Sequence, residues 1–242
     1  MTVFVLAGGL GTRIAGLYPD RPKLLVPVAG RPFVDHVLAG LAARGLTDVV
    51  LCAGHQAGPL LEHVDDGADF GVHARAVVED APRGTAGALA FARRQVGHGE
   101  ETFLALNGDT WAEFDPDALL ALHRGLSADA TLACYQVDES EARGTVETSE
   151  DGRLLGFREK SARGPGWVSG GVYALEPRAL ASVPTGAGDM APRSLEVDVF
   201  PALLAEGRAL GAWRAPGRFW DMGTPAGRAD AEAALARGGA AS

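Results

Sequence analysis

The chain has 242 residues, of which 47% are apolar and 22% charged, which suits one sizeable α/β domain. Its formal net charge of −9 argues against a nucleic acid polymer as partner, because such binding needs basic surface to displace counterions. No basic start with a long apolar stretch is visible, and Cys52 and Cys134 lie in apolar runs, so we expect a cytoplasmic protein with reduced core thiols and no membrane segment.

In the first half of the chain, apolar runs alternate with segments of helical spacing. The predicted strands are 2–7, 48–53, 72–78 and 102–106. The predicted helices are 32–44, 59–64, 86–96 and 115–126. Asp115 is the expected cap of the last helix, with Pro116 in its first turn. This βαβ alternation predicts a Rossmann-like, three-layer α/β fold with a mostly parallel sheet.

The second half changes character. Asp151-Gly152 lies between two short strand patterns and predicts a hairpin. Further predicted elements are strands at 167–175 and 208–214 and a helix that opens at Thr224-Pro225. We therefore expect this half to extend the same sheet into a mixed one and to add a small antiparallel flap, all within a single domain.

A glycine-rich loop, Leu6 to Arg13, follows the first predicted strand. Glycines allow positive φ angles and close backbone approach, and consecutive N–H groups form a nest for anions. Arg13 adds a forked donor for phosphate oxygens, and Lys23 adds a second positive charge. Only Lys23 and Lys160 are lysines among the 22 basic residues, and a lysine is a compact charge that arginine cannot always replace. The loop therefore predicts a triphosphate-sized pocket.

Other polar residues fall at predicted strand ends, where ligands of parallel sheets bind. Glu79 and Asn107-Gly108-Asp109 are two such groups. Asp109 and Asp221 each stand beside a glycine and would suit Mg²⁺, which takes one or two carboxylates plus phosphate oxygens. A plain turn after a strand is the alternative for Asp109, and a helix-entry turn is the alternative for Asp221.

The six histidines show no metal-ligand spacing. His55 follows Gly54 at a strand end and is a candidate for lining a nucleotide site. The other five are expected on solvated faces, and they are His36, His63, His73, His98 and His123.

Residues 6–13, followed by 22–28, resemble the signature of the sugar-1-phosphate nucleotidyltransferases. Further segments resemble other parts of that family, namely Glu79 with 82–88, 107–109, 159–160, 169–173, 194–198 and 219–224. Within the family, the short length, the Gly84–Gly87 segment and the Ser194–Asp198 stretch are most similar to the D-glycero-α-D-manno-heptose 1-phosphate guanylyltransferases. The resemblance implies a glycosyltransferase-A-like fold, with a nucleotide-binding half at 1–126 and a sugar-phosphate-binding half at 127–242.

The resemblance also implies roles for individual residues. Nucleotide contacts are implied for Leu6, Ala7, Gly8, Gly9, Gly11, Thr12, Arg13, Glu79, Gly84, Thr85 and Ala86. Sugar-phosphate contacts are implied for Asn107, Glu159, Lys160, Ser169, Gly170, Gly171, Glu196 and Asp198. Arg13, Lys23 and Asp109 are the candidate catalytic residues, and Asp109 and Asp221 the candidate Mg²⁺ ligands. Glu196 and Asp198 have an alternative as a helix start capped by Ser194.

The implied substrates are GTP and D-glycero-α-D-manno-heptose 1-phosphate. Alternatives are another sugar or cyclitol 1-phosphate, such as that of glucose, mannose or N-acetylmuramate, with ATP, UTP or dTTP. A third hypothesis is a regulatory module that binds a nucleotide or a sugar without catalysis. The sequence also allows a homo-oligomer. Ser169, Arg143 and Arg83 depart from the usual family residues, and these departures concern the sugar and the base rather than the chemistry.

Overall fold

The computed structural model describes residues 1–9, 22–54, 57–97, 99–138, 144–158, 164–186 and 191–238. Its strands are β1 (Thr2–Ala7), β2 (Pro27–Val28), β3 (Arg31–Pro32), β4 (Asp48–Ala53), β5 (His73–Val78), β6 (Phe103–Asn107), β7 (Thr110–Ala112), β8 (Ala130–Val137), β9 (Thr145–Thr148), β10 (Leu154–Arg158), β11 (Gly166–Leu175), β12 (Leu210–Arg214) and β13 (Phe219–Asp221). Its α-helices are α1 (Phe33–Ala43), α2 (Gly58–Val64), α3 (Gly84–Gln95), α4 (Pro116–Gly125), α5 (Phe200–Ala205) and α6 (Pro225–Gly238).

The chain forms two compact units, each assembled from separated stretches. The first comprises Met1–Pro82, Leu106–Trp111 and Phe219–Ser242, and the second comprises Arg83–Ala105 and Ala112–Arg218. The division into a nucleotide-binding half, 1–126, and a sugar-phosphate-binding half, 127–242, concerns function and stays a prediction.

The first unit contains three parallel strands in the order β1, β4, β5, with Thr2 opposite Asp48 and Asp48 opposite His73. The residues of β1 and β4 are almost all buried, as expected for continuous apolar runs in a parallel sheet. The antiparallel pair β2 and β3 forms a short hairpin directly before α1. Because these strands run in parallel, their carboxyl ends lie at the same edge of the sheet.

The second unit is organised around β8, which pairs antiparallel with β11 and parallel with β12. β9 pairs with β11, and β9 and β10 form the antiparallel flap. Asp115 caps α4 by accepting from the N–H groups of Asp117 and Ala118, with Pro116 at the first helical position. The predicted α/β fold with a mostly parallel, mixed sheet and a small antiparallel flap is confirmed.

Both cysteines are buried and free, as predicted, and burial raises the pKa of each thiol. Among the helices in the described ranges, none is long and apolar enough to cross a membrane. The expectation that His36 and His123 lie on solvated faces is wrong, because they are only 4% and 1% exposed. His63 and His73 are exposed as expected, and His98 lies outside the described residues.

The burial of His36 and His123 has a tertiary cause. The Nε2–H of His36 donates to the carbonyl of Val28, at 2.8 Å, and its Nδ1 accepts from Arg31, at 3.2 Å. The ring of His123 lies within hydrogen-bond distance of the Thr131 hydroxyl and the Glu176 carboxylate. Partners for both rings therefore exist inside the protein, which removes the need for water.

Candidate active site

The ends of β1 and β5 approach each other closely in the first unit. A Cβ added to Gly8 would lie 2.9 Å from Oε1 of Glu79 and 3.3 Å from the backbone nitrogen of Gly54. The side chain of Glu79 is buried, with the residue 7% exposed. Glycine at position 8 therefore lets the first loop pass directly against a buried carboxylate, in line with the predicted convergence of groups at the strand ends.

The turn after β6 is held against the end of β1. The N–H of Gly108 donates to the carbonyl of Leu6 at 2.9 Å. A Cβ on Gly108 would lie 2.8 Å from that same oxygen, so a larger residue would push the turn away. This close approach fixes the position of Asp109, whose side chain is 40% exposed.

Lys23 opens a short 3₁₀ turn, Lys23–Leu25, that follows Pro22. Leu24 is buried, and its Cδ1 lies 3.4 Å from the position a Cβ on Gly108 would take. Burial of Leu24 thus anchors the turn beneath Gly108 and brings the Lys23 ammonium to Asp109. Nζ of Lys23 lies 2.5 Å from Oδ2 of Asp109, and the lysine side chain is only 12% exposed.

Asp221 joins this pair through the turn after β13. The N–H of Met222 donates to the carbonyl of Asp109 at 2.8 Å, and the N–H of Gly223 donates to Oδ1 of Asp221 at 2.6 Å. A Cβ on Gly223 would lie 2.7 Å from that Oδ1 and 3.1 Å from Nζ of Lys23. We call Lys23, Asp109 and Asp221 the carboxylate–lysine cluster.

The cluster fits a divalent cation by the chemistry of its donors. Among the described residues, no group of three or more His, Cys, Asp and Glu side chains is placed to hold a metal. Asp109 and Asp221 are a pair of carboxylates, which matches the one or two that Mg²⁺ takes when substrate phosphates supply its other ligands.

In the second unit, β11 carries an irregularity at the predicted sugar loop. Its register against β8 shifts between Ser169 and Tyr173. Gly171 has φ +71° and donates its N–H to Oγ of Ser169 at 3.3 Å, while Gly170 packs directly on the ring of Tyr135. Irregularities in a strand can re-aim side chains beside sites, and here regular pairing with β8 resumes at Tyr173.

The segment Leu195–Val199 is a π-helical turn capped by Ser194. The N–H groups of Asp198 and Val199 both donate to the carbonyl of Ser194 at 3.1 Å. Oδ2 of Asp198 accepts from the N–H of Ser194 at 2.6 Å, and Oγ of Ser194 accepts from the N–H of Val197 at 3.2 Å. Ser194 therefore caps the turn, as the alternative interpretation expected, and one carboxylate oxygen of Asp198 takes part in that cap.

Glu196 in the same turn is turned toward β11. The hydroxyl of Tyr173 donates to Oε1 of Glu196 at 2.8 Å, and Tyr173 is 1% exposed. The Tyr173 ring packs on Phe200, which follows the turn. Glu196 is therefore held in one orientation by a buried tyrosine, an arrangement suited to accepting hydrogen bonds from a sugar.

Arg83, which differs from the residue usual in the family, is explained by local packing. Its guanidinium lies over the ring of Phe91, 4.3 Å from the centroid, two turns into α3. A Cβ on Gly87 would lie 2.9 Å from Cβ of Arg83. The arginine thus runs along the helix over Gly87 and stacks on an aromatic face.

Several predicted residues are not placed by the structure. Gly11, Thr12, Arg13, Arg143, Glu159, Lys160 and His55 lie outside the described residues. The sequence reasoning missed Tyr173 as a partner of Glu196, although the residue stands inside the quoted 169–173 segment. It also missed the contacts between the start of α3 and the residues before the π-helical turn, because nothing in either segment signals the other.

A model of the nucleotidyl transferase family matches residues 2–238 of the chain. Mannose-1-phosphate guanylyltransferase of Mycobacterium tuberculosis is 35% identical over 236 residues, covering 97% of this chain and 64% of that protein. Probable mannose-1-phosphate guanylyltransferase 3 of Oryza sativa subsp. japonica is 33% identical over 229 residues, covering 93% of this chain and 62% of that protein. The chain thus spans less than two thirds of the length of these curated relatives.

Two solved structures share the fold. HddC from Yersinia pseudotuberculosis, complexed with GMP-PN, matches with a TM-score of 0.81 at 24% identity, covering 97% of this chain and 99% of that chain. A putative glucose-1-phosphate thymidylyltransferase from Bacillus anthracis, in complex with a sucrose, matches with a TM-score of 0.83 at 22% identity, covering 98% of this chain and 96% of that chain.

Proposed function

Because the chain belongs to the nucleotidyl transferase family, we propose that it transfers a guanylyl group from GTP to a manno-configured sugar 1-phosphate and releases pyrophosphate. The observation that carries the proposal is the carboxylate–lysine cluster, in which the Lys23 ammonium lies 2.5 Å from Asp109 and beside Asp221. The compact charge of Lys23 suits the phosphates of a nucleoside triphosphate, and the carboxylates of Asp109 and Asp221 suit its metal ion.

The sugar is proposed from two sources of support. The two relatives described above, from Mycobacterium tuberculosis and Oryza sativa subsp. japonica, are named a mannose-1-phosphate guanylyltransferase and a probable one, which favours mannose 1-phosphate. The Gly84–Gly87 and Ser194–Asp198 segments resemble the heptose enzymes, which keeps D-glycero-α-D-manno-heptose 1-phosphate as the second candidate. Both sugars carry the same manno ring and differ in the exocyclic carbons.

Guanine is the base that Glu79 favours. An ionised carboxylate only accepts hydrogen bonds, and guanine offers two adjacent donors, N1–H and the N2 amino group. Adenine, uracil and thymine each present a single donor on that edge, next to acceptors that a carboxylate repels. The burial of Glu79 beside Gly8 strengthens this selection, because a mismatched polar pair is costly away from water.

The reaction needs positioning more than proton transfer. An oxygen of the sugar phosphate attacks the α-phosphorus of GTP in line, the α–β P–O bond breaks, and pyrophosphate leaves. The second pKa of a phosphate monoester is about 6, so the nucleophile is largely dianionic at pH 7. Lys23 would bridge the nucleophile and the α-phosphate, Arg13 would hold the leaving phosphates, and Lys160 would anchor the sugar phosphate.

Nucleotidyltransferases generally use a divalent metal, and we propose Mg²⁺ held by Asp109 and Asp221. A bound Mg²⁺ supplies neutralisation of phosphate charge. Lys23 engages one oxygen of Asp109, so the lysine and a cation would share that carboxylate.

The test is a substrate matrix. GTP, ATP, UTP and dTTP are each paired with mannose, heptose and glucose 1-phosphates, and pyrophosphate release is measured with Mg²⁺ and with excess EDTA. We expect release to be fastest with GTP and a manno sugar and to be abolished by EDTA. A preference for another triphosphate would overturn the guanylyl assignment. Nucleotide binding without pyrophosphate release from any pair would indicate the non-catalytic module instead.

A further inference from the structure

The start of α3 is joined by hydrogen bonds to a strip of chain more than 100 residues later. The N–H of Arg193 donates to the carbonyl of Arg83 at 2.8 Å, and the carbonyl of Arg193 accepts from the N–H of Ala86 at 2.9 Å. Gly84, with φ +72°, packs so tightly on the backbone of Arg193 that a Cβ could not be placed there. These residues belong to the same compact unit.

The first backbone N–H groups of a helix normally donate to a capping side chain or to a bound anion. Arg83, at the cap position, makes no side-chain capping bond. Instead the carbonyl of Arg193 accepts from Ala86 and also, at 3.4 Å, from Gly87. The N–H groups of Ala86 and Gly87, in the segment that the resemblance assigns to the nucleotide, therefore donate to the protein's own backbone.

Thr85 completes the junction through its side chain. Its Oγ1 accepts from the N–H of Leu195 at 2.8 Å. Leu195 is 1% exposed, so its N–H has no access to water as a replacement partner. Leu195 is also the first residue of the π-helical turn, and the next residue is Glu196.

We propose that Thr85 is a positioning residue for the sugar phosphate, acting through Leu195 on Glu196, rather than a nucleotide ligand. The inference rests on the proposed function. Tyr173 holds the carboxylate of Glu196 from β11, and Thr85 holds the backbone that carries it from α3. Loss of the Thr85 acceptor leaves the Leu195 N–H unpaired, so the turn shifts and Glu196 with it. A mutation far from the reacting atoms can misplace a binding group by about 1 Å, and a Glu196 displaced in this way would bind the sugar phosphate less tightly.

The experiment compares Thr85→Val, Thr85→Ala and Thr85→Ser in steady-state assays with GTP and the best sugar 1-phosphate. We expect both variants that lack the hydroxyl to raise KM for the sugar phosphate about tenfold while KM for GTP stays within about twofold. Thr85→Ser keeps the acceptor oxygen and should restore the wild-type KM. Thr102→Val is the matched control, because Thr102 also makes a long-range hydroxyl bond in this unit, to Glu176 at 2.6 Å.

A double-mutant cycle with Glu196→Gln tests the route. If Thr85 acts through Glu196, adding Thr85→Val to Glu196→Gln should raise the sugar-phosphate KM by less than about twofold further. Additive effects would overturn the route. A rise in KM for GTP, or unchanged constants in an active Thr85→Val enzyme, would overturn the inference while leaving the proposed function intact. A wild-type enzyme inactive with every pair would remove both.

Discussion

The carboxylate–lysine cluster and the Ser194–Val199 turn hold polar side chains by different means. In the cluster, Lys23 and Asp109 form an ion pair, and close glycine contacts at Gly108 and Gly223 set the positions of the carboxylates. In the turn, the hydrogen bonds that hold Glu196 within the described part of the chain include those of the Tyr173, Thr85 and Ser194 hydroxyl groups.

This difference suggests a division of roles, in which the cluster acts through charge and the turn acts through the position of its hydrogen-bonding groups. Concentrated charge suits the phosphates, where bonds are made and broken, and its loss should lower kcat. A turn held by hydrogen bonds to hydroxyl groups suits the neutral hydroxyl groups of a sugar, and its disturbance should raise KM. Each prediction below tests whether variants in the two regions separate in this way.

The largest expected effect is that of Lys23→Ala. Removing the ammonium should lower kcat about 10²-fold or more, because one donor aimed at developing phosphate charge is commonly worth that much. Initial rates of pyrophosphate release measure it. Arg75→Ala is the matched control, since Arg75 forms an exposed ion pair with Asp48 at 2.6 Å in the same unit. Near-wild-type turnover of Lys23→Ala would exclude the lysine from the reaction.

Gly223→Ala tests the steric part of the cluster. Its Cβ would lie 2.7 Å from Oδ1 of Asp221, so the carboxylate or the turn must move. We expect kcat to fall about tenfold and the Mg²⁺ concentration for half-maximal rate to rise, because changes to the groups that orient a metal ligand commonly lower metal affinity or activity about 10- to 100-fold. Gly58→Ala, where a Cβ meets no atom within 4 Å, is the control. An unchanged Mg²⁺ requirement would contradict the placement of Asp221 at the metal.

The cluster was largely predictable from sequence, and so was the Ser194 cap of the turn, but the contact that holds the turn from α3 was not. Strand β1 has the predicted bounds, and its apolar run alone determines them. Asp109 could be placed because parallel strands bring their carboxyl ends to one edge. The contact of Thr85 with Leu195 joins residues 110 positions apart, and neither carries a local pattern that points to the other.

Two further misses have the same physical origin. Strand β8, Ala130–Val137, was not predicted, although it is the strand around which the second unit is organised. The apolar run around Cys134 indicates burial, but periodicity alone does not distinguish a short buried strand from a buried helix, and the strand partners β11 and β12 come later in the chain. His36 lies on the side of α1 away from the main apolar spacing, and it is buried because the Val28–Arg31 hairpin covers it.

Tyr173→Phe tests the turn. Losing the hydroxyl that donates to Glu196 should raise KM for the sugar phosphate about fivefold, the equivalent of one ordinary hydrogen bond, with little change in kcat. Tyr135→Phe is the control, because that buried hydroxyl donates to the carbonyl of Glu113 instead. A fall in kcat equal to that of the cluster variants would erase the proposed distinction between the two regions.

The smallest expected effect is on stability, and it comes from two buried histidines, His36 in the compact unit that holds the cluster and His123 in the unit that holds the turn. Burial lowers the pKa of His36 below 6.5, and Arg31 lowers it further against the Val28 hydrogen bond. Burial also lowers the pKa of His123, but Glu176 opposes the shift. As pH falls below 6.5, the unfolded chain binds protons that the folded chain does not, so stability is full above pH 6.5 and declines toward the folded pKa values.

Thermal melts from pH 7.5 to 5.0 should therefore show Tm falling by a few degrees, and variants should flatten that slope unequally. His36→Gln should flatten it more than His123→Gln, because a charged His36 would face Arg31 while a charged His123 would face Glu176. Gln keeps a donor for Val28 and an acceptor for Arg31, so the His36 variant should lose little stability at pH 7.5. An unchanged slope in His36→Gln would show that this histidine does not cause the acid sensitivity. Carboxylates such as Asp48, whose pKa is lowered, lose their stabilising contribution only at more acidic pH than these melts cover.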